Sequence, residues 1–388
     1  MASKHELIGF KDELELLKED NLYRKLVTVE TLGPTAKING KEVILLCSND
    51  YLGLSFNKRV VRAVSDGLKN SVSQCSSRLV SGNNHLLEEL ECSLAEQKRC
   101  ERALVYPTGY MANLGVISSL AGKEDLIVSD ELNHASIVDA CKMSRANVKV
   151  FKHNNVEDLQ AKLSGSGYRH KLVVTEGVFS MDGDCAQLKE MGKVSHENNA
   201  LFVVDDAHGD FVYGTHFRGT AESLGAEKYV DAFISSMSKA LGCFGGYVVG
   251  SNDLVEYLIN KSRQFIYTSA LPSAFASAAI VALKICAKGS LQKKLWNNVR
   301  KFRNGLLASG LNVNSSSHIM PIMLGDEKTA VAFSQALLRK GVFAQAIRYP
   351  TVPKGSARIR VSMTALLEKY IDDALHAFTE SARNLSLL

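Results

Sequence analysis

The chain has 388 residues, 46% of them apolar and 22% charged, with a formal net charge of +5. This is ordinary for a soluble globular protein, and the length suits a large core with a smaller partner domain. The charge is spread along the chain rather than gathered in a stripe or tail, which speaks against nucleic-acid binding. No apolar run is long enough to span a bilayer, so no membrane role is expected. The eight cysteines show no CxxC spacing and no accompanying His cluster, which reads as reduced thiols without a metal site. The first twenty residues are too charged for a secretory apolar segment, so the expected compartment is the cytoplasm.

In chain order, residues 11–26 carry leucines at helical spacing between charges and predict an amphipathic leader helix. The stretch AKINGKEVILLCS predicts a hairpin, with Asn39-Gly40 as its two-residue turn. From about residue 84 helices alternate with short apolar strands. HLLEELECSLAEQK, GYMANLGVISSLAG and HASIVDACKMS read as helices. ALVYP, DLIVSD, VKVFKH, KLVVTEG, ALFVVDD, DAFISS and GYVVGS read as strands. Most of these strands are continuous apolar runs, which suits burial on both faces of a mainly parallel sheet with helical crossovers. Pro272–Lys288 and the segment to Leu306 predict helices leading into a second domain. That domain is expected to hold the helix TAVAFSQALLRKG, a strand pair around VFAQAIR and ARIRVSM, and a terminal helix LEKYIDDALHAF.

Ligands of an open parallel sheet bind beyond the carboxyl ends of its strands, which makes the polar residues after each predicted strand the candidates. Gly109 and Tyr110 open a helix after ALVYP and can offer backbone N–H groups to a phosphate; the plain alternative is a turn. His134 follows DLIVSD and can stack on a planar ring or cap a helix. After ALFVV, Asp205 can hold a protonated ring nitrogen beside His208, or serve as an N-cap. The adjacent pair Asp205 and Asp206 also invites a metal reading, for which a third ligand is not evident. Lys239 lies between a buried-type strand and the glycine-rich turn Gly242, Gly245, Gly246, where desolvation lowers a lysine's pKa and makes its amine a nucleophile for carbonyls. A phosphate seat, a ring-nitrogen acid, a stacking histidine and a loop lysine are the parts a pyridoxal-phosphate site requires.

The segments SNDYLGL (48–54), RLVSGN (78–83), PTGYMANLG (107–115), DELNHASI (130–137), VVTEGVFSMDGD (173–184), VVDDAHG (203–209), SMSKALGCFGG (236–246), YTSALP (267–272) and IRYPTVPKGSARIRVSMTA (347–365) run in order over nearly the whole chain. On these the chain resembles the α-oxoamine synthases, fold-type-I pyridoxal-phosphate transferases. The resemblance implies an α/β fold with a large, mainly parallel-sheet domain and a smaller C-terminal α+β domain. Its expected divisions are residues 1–46, 47–288 and 289–388.

The resemblance also implies roles. Lys239 would be the Schiff-base lysine and the proton carrier at the substrate α-carbon. Asp205 would pair with the ring nitrogen, His134 would stack on the ring, His208 would bond its phenolic oxygen, and Ser180 would lie near it. Gly109, Tyr110 and Ser236 would hold the phosphate, joined by Thr268 and Ser269 from across a homodimer interface. Asn49 and Arg360 would orient the amino-acid carboxylate, while Arg24 and Arg348 would line the acyl side. VVTEGVFSMDGD, DDAHG and the HNN after VKVFK lean towards the branch that condenses L-alanine with a pimeloyl thioester, on CoA or a carrier protein, in biotin biosynthesis. Sister synthases take glycine or serine with another acyl-CoA. Three departures stand out: residues 73–77 read SQCSS where the family has a glycine-rich run, Leu87 replaces a usual histidine with His85 nearby, and Asp210-Phe211 follow DDAHG.

Overall fold

The computed structural model describes residues 10–20, 22–165 and 167–388. In chain order its strands are β1 (Glu30–Thr31), β2 (Thr35–Ile38), β3 (Lys41–Leu45), β4 (Arg102–Tyr106), β5 (Leu126–Asp130), β6 (Asn147–Phe151), β7 (Lys171–Glu176), β8 (Ala200–Asp205), β9 (Ala232–Ser236), β10 (Gly246–Gly250), β11 (Ile319–Gly325), β12 (Val342–Phe343), β13 (Gln345–Ile347) and β14 (Ala357–Ser362). The residues fall into two compact units. One comprises Asn49–Asn297 with Thr364–Leu366; the other comprises the described residues up to Ser48, Asn298–Met363 and Leu367–Leu388.

The larger unit is built on a seven-stranded sheet of order β4-β10-β9-β8-β7-β5-β6. Strands β5 to β9 pair in parallel, and β10 runs antiparallel to both β9 and β4. A parallel neighbour needs a crossover of about a dozen residues or more, whereas the short connection 237–245 allows only reversal. That connection holds Lys239 at the carboxyl edge of β9. β5 and β10 are buried along their whole length, which is why their sequences show no polar alternation. Helices Gly109–Leu120 and Ala135–Ser144 pack Ala112, Val116, Ile137 and Ala140 against Val174, Val203 and Ile234 of the sheet.

In the other unit, β2 and β3 form the expected hairpin. Asn39 and Gly40 take φ of 50° and 78°, the left-handed pair a tight type I′ turn demands. β12 then adds to β3 in parallel, while β13 joins the separate sheet β11-β14-β13. VFAQAIR is thus divided between two sheets. β11 lies outside the predicted elements; its Pro321 sits on an edge strand, where a missing N–H is tolerated. The helices Ser290–Ala308, Glu327–Arg339 and Ile371–Asn384 meet through Phe302, Phe333 and Phe378, whose rings contact edge-on at 5.7 Å. The leader helix ends at Glu19 rather than continuing to residue 26. No single helix among the described residues is long and apolar enough to cross a membrane.

Candidate active site

At the carboxyl edge of the seven-stranded sheet lies a cleft of about 260 Å³. Its walls include Gly109, Tyr110, Asn113, His134, Glu176, Asp205, His208, Ser236 and Lys239. A larger depression of about 530 Å³ lies at the opposite edge, walled by mixed acids, bases and apolar residues such as Arg99, Glu227, Asp231 and Leu254. The carboxyl edge is where an open α/β sheet places its ligands.

One end of the cleft is an anion seat. Thr108 caps the helix Gly109–Leu120 by accepting the Met111 N–H at 3.1 Å. The N–H groups of Gly109 and Tyr110 precede the first intrahelical donor, the Ala112 N–H that bonds the Thr108 carbonyl, and the helix dipole adds positive character there. Two glycines let the chain come this close: a Cβ on Gly109 would lie 2.8 Å from that of Ser236, and one on Gly246 would overlap the backbone of Thr108 and Gly109. Ser236 Oγ stands 2.7 Å from Ser238 Oγ, so two hydroxyls join the seat.

The centre of the cleft carries the acid. Asp205 is 7% exposed; its Oδ2 accepts from Asn113 Nδ2 at 2.6 Å and its Oδ1 from the Ala207 N–H at 3.0 Å. Asp206 turns away and accepts the Thr220 N–H at 2.8 Å, so the paired carboxylates do not converge on one point. Burial pushes the Asp206 carboxyl up to about 7, with Lys98 opposing and Asp210 adding to the rise. His208 is buried and its Nδ1 lies 2.6 Å from the Tyr51 hydroxyl, which also lies 3.1 Å from Asn49 Oδ1. Asn49 is thereby linked to His208 through a residue that sequence reasoning passed over.

His134 is the N-cap of the helix Ala135–Ser144. Its Nδ1 accepts the Ser136 N–H at 3.2 Å and lies 2.7 Å from Ser136 Oγ, while the Tyr110 ring meets it edge-on at 6.3 Å. Desolvation holds its pKa below the ordinary value, with Asp205 opposing and Lys239 reinforcing, so the ring is neutral at pH 7. Asn113 and Glu176 are further cleft residues that went unassigned. Asn113 carried a signal: it is an amide within the otherwise apolar run MANLGVI.

Ser180 is buried in the loop after β7, and Thr268 and Ser269 are half-buried and exposed; none of the three lines the cleft of its own chain. Arg24, Arg348 and Arg360 belong to the other unit. There Arg24 and Arg348 flank a groove of about 380 Å³, with Arg24 donating to Thr351 Oγ1 at 3.3 Å and Arg348 to the Tyr23 carbonyl at 3.1 Å. Arg360 is buried and donates to Ser362 Oγ at 2.9 Å.

Of the departures from the family pattern, Leu87 and Asp210 are buried in the structure. Arg78 forks onto both oxygens of Glu91 at 2.8 and 2.9 Å, and Glu91 also accepts the Val105 N–H, so this arginine ties its loop to β4. Cys75 sits at φ 53°, the left-handed region a glycine-rich run would adopt without strain. Leu87 is fully buried packing. Asp210 forms a buried ion pair with Lys98 and accepts from the Tyr247 hydroxyl, while Lys98 donates to the Arg218 carbonyl at 2.6 Å.

An anion seat on backbone N–H groups, a buried carboxylate oriented by two donors, a neutral imidazole and a half-buried lysine face one cleft. That set fits a phosphate-bearing pyridine aldehyde such as pyridoxal phosphate. The chain matches the model of the family "Aminotransferase class I and II" over residues 41–378. It is 42% identical to 8-amino-7-oxononanoate synthase of Thermoanaerobacter pseudethanolicus, over 100% of both chains. It is similar to solved serine palmitoyltransferases: that of Sphingomonas wittichii at 33% identity and TM-score 0.94, over 98% of this chain and 99% of that one, and a variant from S. paucimobilis with PLP and myriocin bound, at 33% identity and TM-score 0.93, over 99% of each. The chain belongs to the aminotransferase class I and II family and, within it, to the α-oxoamine synthases of the 8-amino-7-oxononanoate synthase group.

Proposed function

We propose that this protein is a pyridoxal-phosphate-dependent acyltransferase of biotin biosynthesis, acting as a cytoplasmic homodimer. It condenses L-alanine with pimeloyl-CoA or a pimeloyl-carrier protein, with loss of carbon dioxide, to give 8-amino-7-oxononanoate. The convergence of Lys239, Asp205 and His134 on one cleft beside the Gly109–Tyr110 anion seat carries this reading, supported by the full-length similarity to 8-amino-7-oxononanoate synthases.

When bound, pyridoxal phosphate supplies an electron sink that stabilises negative charge at the amino-acid α-carbon. The chain's own residues do the rest. Lys239 Nζ would hold the cofactor's aldehyde carbon, and as a free amine it would carry the proton at the amino-acid α-carbon. Asp205, fixed by Asn113, would keep a proton on the ring nitrogen. Neutral His134 would cover one ring face, His208 would bond the phenolic oxygen, and Ser180 would lie near the ring. Gly109 and Tyr110 N–H groups and Ser236 would hold the phosphate, with Thr268 and Ser269 of the opposite subunit. Arg360 suits the amino-acid carboxylate because its guanidinium is a fixed bidentate fork, assisted by Asn49. Arg24 and Arg348 line the path of the acyl chain.

The structural similarity to serine palmitoyltransferases favours one second reading, a synthase using serine or glycine with another acyl-CoA. Purified protein incubated with alanine, glycine and serine in turn, with pimeloyl-CoA and pimeloyl-carrier protein as donors, separates the two by thiol release. Release with alanine is expected; release only with glycine or serine overturns the assignment.

A further inference from the structure

Glu176 ends β7 directly opposite Asp205 of β8 in the parallel register. It is 2% exposed and lines the cleft. Its Oε1 accepts the His134 backbone N–H at 2.6 Å, and its carboxyl also accepts the Ser180 N–H. Two residues from separate loops, one after β5 and one after β7, therefore hang from a single side chain. The groups facing it are Asp205 and His208 from β8 and its following loop, Lys239 from the β9–β10 connection, and His134 itself.

Two ionised carboxylates side by side in a buried cleft repel, and each loses hydration; one proton on the pair relieves both costs. Asp205 is the more exposed of the two and receives the Asn113 amide bond at 2.6 Å. Burial, reinforced by the Asp205 charge, pushes the Glu176 carboxyl up to about 8 against the opposing effects of Lys239 and of the His134 and Ser180 N–H bonds.

We propose that Glu176 is a positioning residue for this reaction: carried as the neutral acid, it ties the His134 and Ser180 backbones together and leaves the negative charge to Asp205. The proposal rests on the reading of this cleft as the condensing site. Glu176→Gln keeps both neutrality and an acceptor oxygen, whereas Glu176→Ala keeps no acceptor. Infrared difference spectra of the cofactor-free full-length protein, wild type minus Glu176→Gln, are expected to show a carboxylic-acid C=O stretch at pH 6.5 that fades as pH rises through about 8. Pyridoxal-phosphate affinity and kcat/KM should stay within about threefold in the Gln variant and fall about 100-fold in the Ala variant, the scale of a misplaced cleft residue. Absence of the acid band, or a Gln variant as impaired as the Ala variant, overturns the proposal. If Glu176→Ala does not fold, the band and the Gln variant decide. A wild type inactive with every amino acid defeats the functional reading instead, and leaves the infrared result to judge Glu176 separately.

Discussion

Asn113 shows how much one side chain decides at the scale of a residue. Its amide nitrogen bonds both Asp205 Oδ2 at 2.6 Å and Ser136 Oγ at 2.9 Å, so it aims the acid and steadies the turn bearing His134. Asn113→Leu removes a hydrogen bond to a charged group, worth about 1.5 kcal/mol. Cofactor titration followed by fluorescence is expected to show affinity falling about tenfold. Lys239→Ala is expected to bind the cofactor without covalent attachment. Borohydride treatment should then fix no label on the variant while labelling wild type at Lys239; retained turnover in the variant would contradict the assigned role. Gly246→Ala places a methyl group into the backbone of Thr108 and Gly109, so loss of phosphate-dependent cofactor binding is expected by the same titration.

Among the elements, the loop after β7 is held by a histidine that follows β6. His153 lies 3.0 Å from Asp130 at the end of β5 and 2.9 Å from Asp184 in the loop, with its ring edge-on to Phe179 at 4.3 Å. Burial works against the charge, but the hydrogen bonds and attraction of the two carboxylates prevail and bring its pKa up to about 10. A histidine raised from its ordinary value near 6.5 contributes fully below that pH and loses its contribution as pH rises to about 10. His153→Gln is therefore expected to lower Tm by about 2–4 °C per kcal/mol lost at pH 6. Calorimetry should show the gap narrowing steadily towards pH 10; a gap that widens with pH contradicts the charged-histidine account.

At the scale of the whole molecule, the segment Arg78–Gly82 lies against Ala270, where the Ala270 N–H donates to the Ser76 carbonyl at 2.9 Å. Leu79, Val80 and Tyr267 around it are exposed apolar side chains, Val80 to 81%. The proposed homodimer, closing over this surface, would cover them and would bring Thr268 and Ser269 to the phosphate of the opposite subunit. Val80→Asp is expected to shift the sedimenting species from dimer to monomer and to weaken cofactor retention with it. A variant monomer that holds the cofactor as wild type does would separate the two properties and undo the shared-site reading.

The residues legible from sequence are those whose chemistry follows their local position. Lys239, Asp205, His134 and Gly109 each end or follow a buried apolar run, and a parallel sheet delivers all such ends to one edge. The hairpin at Asn39-Gly40 is legible for the same reason, because turn geometry is set by adjacent residues. The bonds of Asn113 to Asp205, Tyr51 to His208 and Glu176 to His134 join residues 92, 157 and 42 positions apart. Such bonds depend on strand order and register, which no local pattern carries. The division of VFAQAIR between two sheets and the edge placement of Pro321 are of the same kind. Side-chain type and period determined which residues reach the carboxyl edge of the sheet; only the packed chain decided which of them touch, because contact across a sheet is a property of neighbouring strands rather than of neighbouring residues.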